Sequence, residues 1–358
     1  MIGSEALAAF KGKRVLVTGH TGFKGSWLCT ALLELGAEVT GYSLAPDSEA
    51  SHFTLLQLEQ SMRHVIGDIR DLPRLDAVFD EVGPEIVFHL AAQALVRRSY
   101  DQPKLTFDTN VAGSVNILEA VRKTPSVRAL VYITSDKCYL NREWERGYCE
   151  NDELGGHDPY SASKAAAELV FAAYQDSFFK HRAQLGAASA RAGNVIGGGD
   201  WAADRIVPDC IRSLRDSKPI ILRNPEATRP WQHVLEPLSG YLFLATRLYD
   251  DPKRFSSAWN FGPLSTEIRT VKNLTDDIVS RWGSGCVEID RSTATVHEAR
   301  LLRLNCDKAH QLLDWYPRWD FARTIVETVR WYREILEGTP AAVITRRQIN
   351  DYFSGVNA

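Results

Sequence analysis

Gly19, Gly22 and Gly25, spaced three apart, lie between a short β-branched run, Lys13–Thr18, and an apolar helical pattern over Ser26–Leu35 that Gly36 closes. A second strand-like run, Glu38–Leu44, follows. Strand, glycine turn, helix and strand within about 30 residues form a βαβ unit, and few sequence features constrain a fold so tightly. The first glycine permits the tight turn, the second lets backbone N–H groups approach a pyrophosphate, and the third lets the helix pack closely on the strand. The helix N-terminus then faces the phosphates.

The alternation continues. Strands are expected at His64–Ile66, Glu85–Leu90, Ala129–Ser135 and Gly186–Arg191, with helices at Leu72–Val82, Phe107–Lys123 and Ser161–Phe179. This pitch implies an α/β fold, a Rossmann-type doubly wound parallel sheet covered on both faces. After Arg191 the chain turns irregular, with Pro208, Pro219, Pro225 and Pro230 around one helix at Ile206–Ser217. A helix at His233–Tyr249 reads as a return to the sheet, Asn260–Pro263 opens another irregular stretch, and Phe321–Leu336 is a late amphipathic helix. The expected division is a cofactor-binding domain over residues 1–192, rejoined at about 231–259. A smaller mixed α/β substrate domain takes 193–230 and 260–358.

Composition narrows the function. The 358 residues carry 42 basic and 45 acidic side chains, a formal charge of −3. That balance offers no footprint for nucleic acid or an anionic membrane. Met1–Phe10 does not read as a signal peptide, and no apolar run approaches the roughly 20 residues that span a bilayer. Six scattered cysteines form no C-x-x-C pair and read as thiols of a reducing cytoplasm, with no metal site expected.

Ribose selection at the glycine turn favours NAD over NADP. The usual acid at the end of the second strand is replaced by Tyr42-Ser43-Leu44, and no Arg or Lys lies between Thr40 and Ser61 to receive a 2′-phosphate. Ser43 offers a hydroxyl instead. Asp68 follows the third strand as either an acceptor for the adenine amino group or a solvated loop acid.

Tyr160 and Lys164 stand at i and i+4, one helical turn apart on one face. A lysine ammonium beside a phenol favours the phenolate, and a cationic nicotinamide adds to that, lowering the Tyr pKa from roughly 10 toward working pH. Such a Tyr exchanges a proton with a carbinol while hydride moves to or from the cofactor. Thr134 and Ser135 end the intervening strand. Asp136 and Lys137 come next, where catalytic groups of such sheets gather; they read as an acid and a base, or as a plain strand-end ion pair.

With these residues the chain resembles the extended short-chain dehydrogenase/reductase family of nucleotide-sugar enzymes. The matching segments are Gly19-x-x-Gly22-x-x-Gly25, His89-Leu90-Ala91-Ala92-Gln93, Asn110-Val111-x-Gly113, Tyr160-x-x-x-Lys164 and Arg191-x-x-Asn194. The family's sugar 4,6-dehydratases usually have Thr-Asp-Glu where this chain has Ser135-Asp136-Lys137. That departure, with Thr18–Trp27, is similar to the branch acting on CDP-glucose. The resemblance implies oxidation at carbon 4 with NAD, loss of water across carbons 5 and 6, and return of hydride to carbon 6. It assigns Tyr160 as base, Lys164 as its tuner and ribose ligand, and Ser135 as partner of the 4-oxygen. Asp136 is the expected acid and Lys137 the base at carbon 5.

Further cofactor contacts are expected from Thr21, Phe23, Ile69, Leu90, Ala91 and Gln93. Gln93, Arg98, Asn194, Arg205, Arg229 and Arg300 are candidates for the nucleotide sugar, arginine suiting diphosphate through its planar fork. His89 reads as a packed strand histidine, Asn110 as a brace or an ordinary helix-face residue, and Trp201 and Trp231 as stacking or, more simply, core packing. The family pairs through two long helices in a four-helix bundle, so a homodimer or homotetramer is implied, in surface-sugar (O-antigen) synthesis. Two other readings stay open: another dehydratase or a 4-epimerase of the same family, which lacks an acid–base pair beside the Ser, and a non-catalytic NAD-binding protein, which would show a broken Tyr–Lys pair.

Overall fold

The computed structural model describes residues 7–264, 269–290 and 301–354. Its centre is a seven-stranded parallel sheet built from β1 (Arg14–Thr18), β2 (Glu38–Ser43), β3 (Arg63–Ile66), β4 (Ile86–His89), β5 (Ala129–Ile133), β6 (Gly186–Ala192) and β7 (Ala258–Phe261). Their order, β7-β6-β5-β4-β1-β2-β3, reverses direction beside β1, so the crevice at its carboxyl end is the topological switch point where ligands bind in such sheets. The central strands are buried on both faces, which is why they read as continuous apolar runs.

Helix α1 (Phe23–Glu34) follows the glycine turn, and α2 (Leu72–Val82), capped by the Asp71 side chain, precedes β4. Beyond β4 the chain forms α3 (Val96–Asp101) and α4 (Pro103–Phe107). The expected single helix 107–123 is interrupted: Asp108–Gly113 is wound as a π-helix before α5 (Ser114–Lys123). α6 (Pro159–Ser177) starts with Asp158 capping the Ser161 N–H, so Tyr160 falls in its first turn.

After β6 the chain leaves the sheet for α7 (Ile206–Arg215) and returns by α8 (Leu235–Asp250), which packs on β5 and β6. The expected irregular stretch at Asn260 is instead the end of β7, because parallel pairing of 258–261 with 189–192 completes the buried edge. A parallel pair, Ile220–Leu222 with Val287–Ile289, then α9 (Val271–Trp282), α10 (Asp307–Leu313) and α11 (Phe321–Leu336) complete the second lobe. The last helix, α12 (Ala341–Ser354), bridges the expected division: Thr345 Oγ1 accepts from Trp331 Nε1 of α11 at 2.9 Å, while Arg346 pairs with Glu34 of α1 in the first lobe. No helix among the described residues is long and apolar enough to cross a membrane.

Candidate active site

The glycine turn fits a dinucleotide diphosphate. Gly19 has φ +75°, and a Cβ there would meet Ala91 N at 2.7 Å; one at Gly25 would meet Gly19 O at 2.2 Å. Gly22 is exposed, and a Cβ there would touch only Gly19 O, at 3.4 Å, so backbone approach is open. No side chain caps α1 and no acid occupies its first turn, leaving its leading N–H groups for a ligand. Ser43 and Thr21 share a hydrogen bond of 2.9 Å at the end of β2, as a ribose site without an acid requires. Asp68 is clamped by Arg70, 2.6 Å from Nη2, and this partner holds its carboxyl below the usual range. Ile69, whose carbonyl accepts from Asn116, packs over Gly113.

Five residues converge at the mouth of β5. Ser135 extends the strand and caps a short 3₁₀ turn, Asp136–Cys138, accepting from Lys137 N at 3.2 Å and donating to Asp136 Oδ1 at 2.9 Å. Ser135, Asp136, Tyr160 and Lys164 are buried, and Lys137 is partly exposed. Burial pushes the Asp136 carboxyl up, against the opposing pull of Lys137, Ser135 and Lys24. A protonated acid beside a sugar hydroxyl is a donor.

In the protein alone the Tyr160 phenol is pushed up to about 12, because burial outweighs the hydrogen bond with Ser135 and the Arg205 charge, so the expected lowering falls to the cationic nicotinamide. The lysine is the partner that shifts down, Lys164 to about 8, burial outweighing the Glu168 carboxylate. Without a further positive charge over the ring, the phenol keeps its proton.

The remaining candidates divide. Gln93 is spent inside its own loop: its amide accepts from Leu95 N at 2.7 Å and donates to Leu95 O and Thr106 Oγ1, both at 3.0 Å. Leu90 and Ala91 line the same strand-end loop, where Leu90 N donates to Thr18 O and Ala91 N to Thr18 Oγ1. Asn110, in the π-turn, is a brace: it bonds Gln93 N and O and donates to Ser163 Oγ at 2.9 Å, tying that loop to α6. Extra turns of this kind often mark functional sites. Arg98 lies exposed on α3 against Gln102, and its neighbour Arg97 reaches across to Asp204 of the second lobe at 3.1 Å. Arg205, held by Asp200 at 2.8 Å, sits within electrostatic reach of Tyr160. Asn194 is partly exposed beside Gln232, Arg229 is half-buried in a two-residue ladder against Arg269, and Arg300 lies outside the described residues. His89 is fixed between Thr18 and Ser114.

Two charged groups escaped the sequence reading. Lys24, in the glycine turn's own helix, is pushed down to about 8 by burial and by Arg205 and Lys164, while Asp136 opposes. Glu168 continues the Tyr160, Lys164 series by four residues. It accepts from Thr134, from Ser189 at 2.8 Å and from both sides of the Arg191 fork at 2.9 and 2.7 Å. The i+4 spacing was the available signal. A wider hollow of about 550 Å³, among Arg14, Thr40 and Met62, opens at the opposite ends of the strands and touches none of these groups.

Comparison with known proteins agrees with this geometry. The family model described as GDP-mannose 4,6 dehydratase matches residues 16–328. The chain belongs to this nucleotide-sugar 4,6-dehydratase family. Within it, a CDP-glucose 4,6-dehydratase of Salmonella typhimurium is 49% identical over 349 residues, covering 96% of this chain and 97% of that one. A dTDP-glucose 4,6-dehydratase of Streptomyces antibioticus is 30% identical over 89% and 92% of the two chains. Among solved dehydratase structures, the DesIV double mutant, a dTDP-glucose 4,6-dehydratase of Streptomyces venezuelae with NAD and DAU bound, superposes with TM-score 0.74. It is 25% identical over 89% of this chain and 97% of that one.

Proposed function

We propose that this chain converts CDP-D-glucose to CDP-4-keto-6-deoxy-D-glucose with NAD. The observation that carries the reading is Asp136 and Lys137 on one short turn beside Ser135 and Tyr160, in a chain 49% identical, nearly end to end, to a CDP-glucose 4,6-dehydratase. The NAD held by the Gly19–Gly25 turn, Thr21, Ser43 and Lys164 supplies the chemistry of taking a hydride from carbon 4 and giving it back at carbon 6. The protein's own groups do the rest. Ser135 orients the 4-hydroxyl and Tyr160 would take its proton once a bound cationic nicotinamide adds the positive charge that Arg205 alone does not supply against burial. The 4-ketone acidifies the hydrogen on carbon 5, which Lys137 removes, while Asp136 delivers the proton with which the 6-hydroxyl leaves as water. Asn194, Arg229 and Arg300 are assigned to the nucleotide diphosphate, with Arg205 nearest the chemistry.

The same reading places the enzyme in the cytoplasm, in surface-sugar synthesis, as a homo-oligomer. Tyr100, Phe107 and Leu169 stay exposed on α3, α4 and α6, helices that pack on one another, as an intersubunit helix bundle requires. The test is turnover of CDP-, dTDP-, UDP- and GDP-glucose by purified protein, read by the alkaline chromophore of a 4-keto-6-deoxy sugar. The CDP sugar should react preferentially; turnover of the dTDP sugar alone would refute the nucleotide assignment.

A further inference from the structure

Behind Gly193 the site wall opens into a second hollow of about 280 Å³, bounded by Gly193, Pro230, Gly262, Pro263, Leu304 and Arg303. Its relation to the chemistry is fixed at Gly193. A Cβ there would stand 3.0 Å from Asp136 Oδ2 and 3.5 Å from the Pro230 ring, so one glycine separates the hollow from the buried carboxylate. The volume suits part of a nucleotide sugar rather than the whole, since complete small-ligand sites run to roughly 300–1,000 Å³.

Arg303 enters this hollow from a backbone that is tied down. Its carbonyl accepts from Tyr148 N at 2.8 Å, and Asn305 N returns a bond to Tyr148 O at 2.9 Å. Its guanidinium is not. Nε is shielded from solvent and has no hydrogen-bond partner. Among the described residues the neighbouring arginines do have one: Arg205 on Asp200, Arg97 on Asp204, Arg146 on Asp152. Glu145 and Asp307 border the same hollow, yet among the described residues neither forms an ion pair with Arg303, and Asp307 is engaged by Asn305. A shielded donor left without an acceptor is costly, so such a group points to a partner that arrives with a ligand.

We infer that Arg303 is a substrate-anchoring residue whose guanidinium takes a phosphate oxygen of the nucleoside diphosphate sugar. The inference rests on the function proposed above and deepens it. The substrate brings its own diphosphate anion into this cleft, while the cofactor's diphosphate is claimed by the Gly22 turn. A planar fork of donors matches phosphate geometry where a point charge does not. Arg303 lies three residues beyond Arg300, on the segment the sequence already assigned to diphosphate, but no motif singles it out.

Calorimetric titration of the full chain with CDP, cytidine and NAD tests this on wild type, Arg303→Met and Arg303→Lys, with steady-state kinetics beside it. Arg303→Met should weaken CDP roughly 10- to 100-fold, the loss of one charge-assisted hydrogen bond. Arg303→Lys should fall between. Cytidine and NAD should bind within about twofold of wild type, and KM for the sugar nucleotide should rise while kcat changes by less than about threefold. CDP affinity within twofold of wild type would overturn the assignment, as would equal losses for CDP, cytidine and NAD, which mark a merely structural role. If wild type binds another nucleoside diphosphate and not CDP, the nucleotide reading fails. Arg303 is then judged by the same variants against that diphosphate.

Discussion

At the residue scale the chemistry depends on neighbours that set each other's charge. Burial pushes the Asp136 carboxyl up at the very turn where Lys137 stands beside it, the arrangement on which the proposed division into acid and base rests. Lys137→Met should separate the steps: oxidation at carbon 4 continues, seen as reduced-cofactor absorbance, while deuterium uptake from solvent at carbon 5 stops. Exchange at the wild-type rate in that variant would remove Lys137 from the role. The residue types here were legible in the sequence, because Tyr160-x-x-x-Lys164 and Ser135-Asp136-Lys137 are local patterns. Their electrostatics were not. In the protein alone the phenol rises because burial, a property of the whole fold, outweighs the Ser135 hydrogen bond and the Arg205 charge. Arg97, not Arg98, crosses to the second lobe, since the rotation of a short helix after a loop has no signature in spacing.

At the element scale, one buried network holds the site's floor. Glu168 of α6 receives hydrogen bonds from β5 and β6, and Arg191 carries the connection on to Tyr139 at 2.7 Å, whose hydroxyl donates to Asn260 of β7. Both partners of the Glu168–Arg191 pair are almost wholly enclosed, with side chains 3% and 4% exposed. Leaving Arg191 buried without its counter-charge should therefore cost about 3–5 kcal/mol. Glu168→Gln should lower the unfolding free energy by that order in a urea titration; a loss below about 1 kcal/mol would contradict the enclosed pair. The βαβ alternation was readable because glycine turns and apolar periodicity are local. The π-turn at Asp108–Gly113 was not, since it is fixed by Asn110 bridging two distant segments. Nor was β7, a four-residue strand whose only assurance is its pairing partner.

At the scale of the whole molecule, Glu236 joins three parts of the chain. Its carboxyl, fully buried on α8, accepts from Arg318 N, Trp319 N and Tyr352 Oη at 3.0, 2.8 and 2.7 Å. Burial raises it from 4.5 to about 7. The unfolded chain then releases this proton at lower pH than the folded one. The stabilisation is complete below pH 4.5 and is lost as pH rises through 7, roughly 3 kcal/mol in all. Relative to Glu236→Gln, which cannot ionise, the wild-type Tm should fall across that window; a parallel pair of curves would contradict the shift. Assembly belongs to the same scale. Leu169, 61% exposed on α6, is apolar surface that a helix-bundle partner would cover; if the proposed homo-oligomer forms there, Leu169→Asp should lower the mass seen by light scattering while the circular dichroism stays unchanged. In the proposed reaction the hydride taken from the sugar goes back to the same sugar. Turning over CDP-glucose deuterated at carbon 4, mixed with an unlabelled, ¹³C-marked substrate, tests that directly by mass spectrometry of the products. The deuterium should appear at carbon 6 of the molecules that carried it. Deuterium on the ¹³C-marked product, or lost to solvent, would contradict the account.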